Sequence, residues 1–208
     1  MTRRRPSDRC IELITYFFGE ASRDDCSLEA LQARTKLWFF RNAAVDAHIR
    51  EQFAGDVASA SAGELAGWSE LAYGRLGLIL LLDQFPRHLH RGSGQAFATD
   101  AAALEIAREG IAHNVDAELS SGERLVFYLP LMHTEDASVQ ASSCSLYRRL
   151  AESAPPTLRP ELENAYLFAE RHRVIVERFG RFPHRNEPLA RQSTPEELAF
   201  LQEPNSAF

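Results

Sequence analysis

Between residues 11 and 200, apolar side chains recur at spacings of three and four, and glycine or proline breaks the pattern at short intervals. That spacing puts the apolar groups on one face of a helix, whereas a half-buried strand needs strict alternation. No convincing pair of strands can be drawn in the 208 residues. Composition agrees. With 29 Ala and 25 Leu against 7 Val and 7 Ile, the chain has a helix former's balance, which argues against a sandwich, a barrel or a parallel sheet. The fold class read from this is all-α. The length suits a single domain over residues 1–208, with residues 1–6 as a disordered polar tail.

The breaks divide the chain into roughly eight or nine helices. Ser7 caps the first, which carries Ile11, Ile14 and Phe18 on one face and ends at Gly19. A second runs from Leu28 through Leu31 to Trp38, and a third holds Val45, Ile49 and Phe53. The Ala/Ser-rich residues 56–63 read as a loop or a frayed end. A long helix then carries Leu65, Trp68, Ala72, Leu76, Ile79 and Leu80. It is expected to stop near Gln84, because Pro86 cannot continue the hydrogen-bond ladder. After a basic loop at 87–94, helices are expected over residues 95–113, 121–129, 135–152 and 161–179, the last stopped by Gly180. Thr194-Pro195-Glu196-Glu197 then supplies an N-cap, a first-turn proline and a capping-box glutamate.

Several function classes lose support at once. A net charge of −6 does not suit general nucleic-acid binding. The longest near-apolar run, residues 76–82, is far too short to span a bilayer. Three arginines precede the first apolar stretch, but Glu12 interrupts it and no small-residue cleavage site follows, so it is not read as a signal peptide. Cys10, Cys26 and Cys144 are odd in number and lack metal spacing, which suits a reduced compartment. A soluble cytoplasmic protein is the expectation. No GxSxG, P-loop, GxGxxG or HExxH pattern is present.

Chemistry-bearing residues gather in three places. The first holds Asp83, Gln84, Arg87, His88, His90 and Arg91, with Asp100 beyond. The second holds His133, Glu135, Asp136 and Gln140. The third holds Arg178, Arg181, His184, Arg185, Asn186 and Arg191. Six arginines and two glutamates make segment 171–191 locally +4 inside an acidic chain. Guanidinium forks match carboxylates and phosphates, so this segment is a candidate anion site; structural pairing with carboxylates of other helices explains the same residues. His133 can shuttle a proton if a carboxylate such as Glu135 orients it, or it can simply bond a buried carbonyl while Glu135 starts a helix. His172 shares a stripe with Ala165, Phe168, Ile175 and Phe179 and reads as a core histidine. Asp83, in a last helical turn against the dipole, needs a cationic partner and should be buried against an arginine. Asp83-Gln84-Phe85-Pro86-Arg87 and Arg181-Phe182-Pro183-His184-Arg185 share a grammar of helix end, Phe-Pro and basic exit. Both corners are expected on one side of the molecule.

These segments also carry a resemblance. Trp38-Phe39 with Asp46 and Phe53, Leu82-Asp83-Gln84-Phe85-Pro86-Arg87 with Arg91-Gly92, and Phe97-Ala98 with Asp100 form its first half. Tyr128-Leu129-Pro130-Leu131-Met132-His133 with Glu135 and Gln140, Arg178-Phe179-Gly180-Arg181-Phe182-Pro183-His184-Arg185-Asn186, and Arg191 with Ser193-Thr194 and Glu196-Glu197 form the second. On these motifs the chain resembles the mostly bacterial domain of unknown function 924 family over nearly its whole length. Thr134 stands where that family often has serine, and Tyr16-Phe17-Phe18 where it tends to show Trp-Phe. The resemblance implies an all-helical fold similar to tetratricopeptide-like helical hairpins, and it implies no reaction.

Two functions follow as expectations. In the first, an Arg/His-lined cleft binds a small phosphate or carboxylate. Asp83, Gln84, Arg87, Arg91, Gln140, Arg181, Arg185, Asn186 and Arg191 line it, and His133, Glu135 or His184 does acid–base work. No metal is assigned, and no cofactor can be named. In the second, a helical scaffold holds a peptide or protein partner without catalysis.

Overall fold

The computed structural model describes residues 6–204 and 206, so five of the six residues read as a tail lie outside it. All regular structure among the described residues is helical. Helices α1 (Asp8–Phe18), α2 (Leu28–Phe39) and α3 (Ala43–Ser61) come first. The rod α4 runs through Ala72–Ile79, Leu80–Gln84 and Phe85–Leu89. Then follow α5 (Asp100–Ala112), α6 (Ser121–Phe127 and Leu129–Met132), α7 (Ala137–Ser153), α8 (Arg159–Phe179) and α9 (Pro195–Phe200).

The core is organised around α4. Leu76, Ile79, Leu80, Leu81 and Phe85 are all completely buried, so the middle of this helix is enclosed on its several sides by the rest of the core. It packs against α1, α3, α5 and α6. Helices α7 and α8 form an antiparallel hairpin beside it, and Ile175, Val176, Phe182 and Phe200 make a separate small cluster at the C-terminal corner.

Local signals predicted two caps well. Ser7 and Thr194 each accept a backbone N–H of the following turn, and Glu197 completes the capping box; Ser27, which the sequence reading did not single out, caps α2 in the same way. Gly180 ends α8 at φ +68°, a conformation glycine adopts without strain. Several expectations fail: Leu65 and Trp68 lie outside the long helix, which starts at Ala72 after extended Leu71, and the helix expected from 95 starts at Asp100. Residues 56–61 are the last turns of α3, because alanine is the best helix former and Val57 and Ala60 are buried there. Asp136, not Glu135, opens α7, its side chain accepting the N–H groups of Ser138 and Val139.

A further failure is more instructive. The rod α4 does not stop at Gln84. Residues Leu80–Gln84 form a π turn in which the Phe85 N–H reaches the Leu80 carbonyl five residues back. The ladder widens just before Pro86, which can then sit in the first turn of the next helical piece. The Leu82 carbonyl, which an N–H at position 86 would normally have reached, accepts the Thr99 hydroxyl instead. Thr99→Val keeps the shape and removes that donor. It is expected to destabilise the fold by about 1–3 kcal/mol in urea unfolding, while Thr99→Ser stays close to the parent. Equal losses for both would show that the hydroxyl is not what supports the π turn.

Candidate functional site

The π turn carries two successive polar residues into the interior, with Asp83 completely buried and Gln84 nearly so. Gln84 Nε2 donates to Asp83 Oδ2. Asp83 Oδ1 lies 2.8 Å from His133 Nδ1 and 3.3 Å from Arg87 Nη1. Burial opposes the charge on Asp83, but Arg87, His133 and Gln84 outweigh it and hold the carboxyl below the usual range. An ionised carboxylate only accepts, so His133 Nδ1 carries the proton and Nε2 keeps its lone pair. Burial, helped by Arg87 and opposed by Asp83, lowers the His133 pKa, so the ring is neutral at neutral pH. Nε2 makes no hydrogen bond to any described residue, and the side chain retains 13% exposure.

The backbone that bears this histidine is clamped from two sides. Gln140 Nε2 donates to the Met132 and Thr134 carbonyls, 2.7 Å each. Arg185 Nη1 donates to the His133 carbonyl at 3.0 Å. Three successive carbonyls are thereby fixed by side chains from α7 and from the corner after α8.

Asp100, at the start of α5, joins the two Phe-Pro corners. It holds Arg87 through two 2.9 Å bonds and lies 3.4 Å from Arg185 Nη1. The corners therefore meet on one side, anchored by fully buried Phe85 and Phe182. The rings of Phe97 and Phe182 each lie 4.6 Å from the Arg185 guanidinium carbon. Burial and then Arg87 lower the Arg185 pKa to about 10, still leaving it charged at neutral pH. His184 is lowered to about 4, first by burial and then by Arg185, and His172 to about 3, chiefly by burial.

Other predicted residues serve neighbouring networks. Glu135 accepts the Phe182 N–H and takes two bonds from Arg191, so the carboxylate on His133 is Asp83, fifty positions away, rather than Glu135. Arg181 makes a two-pronged pair with Glu197, which Asn186 also contacts. Arg91 is forked onto Asp46, whose other partner is His88. The basic segment is neutralised largely from outside itself: Arg173 by Glu170 and Glu177, Arg178 by Glu196, Arg181 by Glu197 and Arg191 by Glu135. The residues brought onto one network are Asp83, Gln84, Arg87, His133, Gln140 and Arg185. Asp100 joins them to each other, a role its sequence position did not reveal. Among the described residues no group of three or more His, Cys, Asp or Glu is placed to hold a metal ion. A depression of about 220 Å³ at the start of α1, lined by Ser7, Cys10, Trp68 and Gly74, contains none of these network residues.

The family described as bacterial protein of unknown function DUF924 matches residues 13–205. A solved structure of a protein of unknown function from Agrobacterium tumefaciens is 38% identical to this chain. It superposes with a TM-score of 0.75 over 93% of this chain and 97% of the other. No curated protein matches the chain.

Proposed function

The chain belongs to the DUF924 family of bacterial proteins, whose description names no function, and on that footing we propose that it binds a small anionic molecule beside His133, which exchanges a proton with it. The observation that carries this is the Asp83–His133 pair. A buried carboxylate holds one ring nitrogen at 2.8 Å and leaves the other as a free base with access to solvent. In this reading Arg87 and Arg185 attract the anion, Asp83 and Gln140 position the imidazole, and neutral His184 flanks the site. Glu135, Arg191, Arg181 and Asn186 build the corner that holds Arg185, and Arg91 braces the α3–α4 contact. The setting is a single helical domain of tetratricopeptide-like hairpins, a view supported by the α7–α8 pair. Three buried free thiols suit the bacterial cytoplasm.

The alternative is a face for a protein or peptide partner. Its support is Leu167 and Val174, seven residues apart on α8 and both exposed. Melting curves with a millimolar panel of phosphates and carboxylates separate the two. A ligand at ten times its Kd adds about 1.4 kcal/mol, or about 3–5 °C for a chain of this size. Arg185→Ala and His133→Asn are expected to abolish the shift. If no anion moves the parent protein, the ligand-site reading fails and the partner face becomes the better one.

A further inference from the structure

The network's charges balance. Arg87 and Arg185 stand against Asp83 and Asp100, and each cation contacts at least one of those carboxylates. An anion entering alone would leave one negative charge without a counterpart beside the fully buried Asp83, where screening by water is weakest. The compensating charge has an obvious seat. His133 is neutral, its Nδ1–H is committed to Asp83, and its Nε2 lone pair is open. Of the other two histidines, His172 is buried and directs Nδ1–H to the Phe168 carbonyl, and His184 lies against Phe182.

The cationic side of the site narrows the ligand further. Arg185 Nη1 is occupied by the His133 carbonyl and by Asp100, whereas Nη2 has no hydrogen bond among the described residues. With Phe97 and Phe182 packed against it, the guanidinium offers a ligand its edge. One proton offsets one negative charge, so a monocarboxylate suits the site better than a phosphate group, which carries about −1.5 to −2 at pH 7. We propose that the site takes small monocarboxylates, each bound together with one proton that settles on His133 Nε2. In the elementary step the acid's O–H bond breaks, an N–H bond forms at Nε2, and the carboxylate keeps the electron pair and turns to Arg185. This rests on the reading of His133 and its arginines as the ligand site.

The groups that face His133 are Asp83 and Arg87 from α4, Asp100 from α5, His172 from α8, and Arg185 and His184 from the corner. The test is a histidine-resolved NMR pH titration of the intact protein in chloride, acetate or inorganic phosphate at matched ionic strength. Exposed His113 is the internal reference. Acetate is expected to raise the apparent pKa of His133 by about one unit, chloride to leave it in place, and acetate affinity to fall about tenfold per pH unit above that pKa. Acetate shifts at His133 and Arg185 with an unmoved titration would overturn the proton coupling and leave the anion site standing. A response to phosphate alone would overturn the carboxylate assignment. Silence from every anion would overturn both this inference and the reading beneath it.

Discussion

Replacing Asp83 with alanine is expected to lower the unfolding free energy by about 3–5 kcal/mol. The carboxylate is completely buried and serves three donors: His133, Arg87 and Gln84. Truncation leaves a partly buried guanidinium with Asp100 as its carboxylate and the main-chain carbonyl of residue 83, and leaves the His133 Nδ1–H and the Gln84 amide without acceptors. Because Arg87 keeps Asp100, the loss should lie toward the lower end of that range. Asp83→Asn keeps the volume and one acceptor oxygen but removes the charge, so it should cost less than alanine. It should also let His133 change tautomer, which a nitrogen-15 spectrum of the ring would reveal. Urea unfolding of both variants decides the matter. A loss below about 1 kcal/mol for Asp83→Ala would mean that Asp83 is not central to the network.

What could be read from the sequence, and what could not, divides along contact distance in the chain. Thr194-Pro195-Glu196-Glu197 announced α9 because every partner in a capping box lies within three residues. Asp83 was expected against an arginine on a local argument about the helix dipole, and Arg87, one turn on, is there at 3.3 Å. Pro86 misled because its usual effect is local, while the device that tolerates it is tertiary: the π turn has Thr99 as a hydroxyl donor seventeen positions away in the chain. The Asp83–His133 pair spans fifty residues, and no spacing rule reaches that far. Glu135 was the natural guess for its proximity in sequence, yet its carboxylate turns to Arg191 and the Phe182 N–H. The +4 of segment 171–191 was visible as a sum, but Asp100, Glu135, Glu196 and Glu197, which help neutralise it, lie at three other places in the chain.

Acid should weaken this fold well above the carboxylate range, and His172 and His184 set where. Unfolded histidine titrates near pH 6.5. Burial brings His172 down to about 3 and, joined by the positive charge of Arg185, brings His184 down to about 4. His172 is fixed in its neutral form by donating Nδ1–H to the Phe168 carbonyl at 2.8 Å, its ring edge-on to Phe182 at 5.5 Å. Both groups have depressed folded values, so the unfolded chain binds more protons than the folded one between the two values. Their contribution is fully present above about pH 6.5 and is lost as the pH falls toward 4. Each group costs at most about 1.4 kcal/mol per pH unit across that window, and partial exposure of His184 reduces its share. By pH 5 the pair should have removed about 3 kcal/mol of stability. The Arg181-bound carboxylate Glu197, held near 2, begins to lose its own contribution only below about pH 4.5, outside the range from pH 7.5 to 5. Urea unfolding across that range measures the slope directly. His172→Gln retains a donor for the Phe168 carbonyl but cannot titrate, and should remove part of the slope, the rest belonging to His184 and to His133 and His88, which burial also lowers. Stability that stays flat from pH 7.5 to 5, or a slope that His172→Gln leaves unchanged, would mean that the corner packed on Phe182 accepts protonated imidazoles and is looser than its burial suggests.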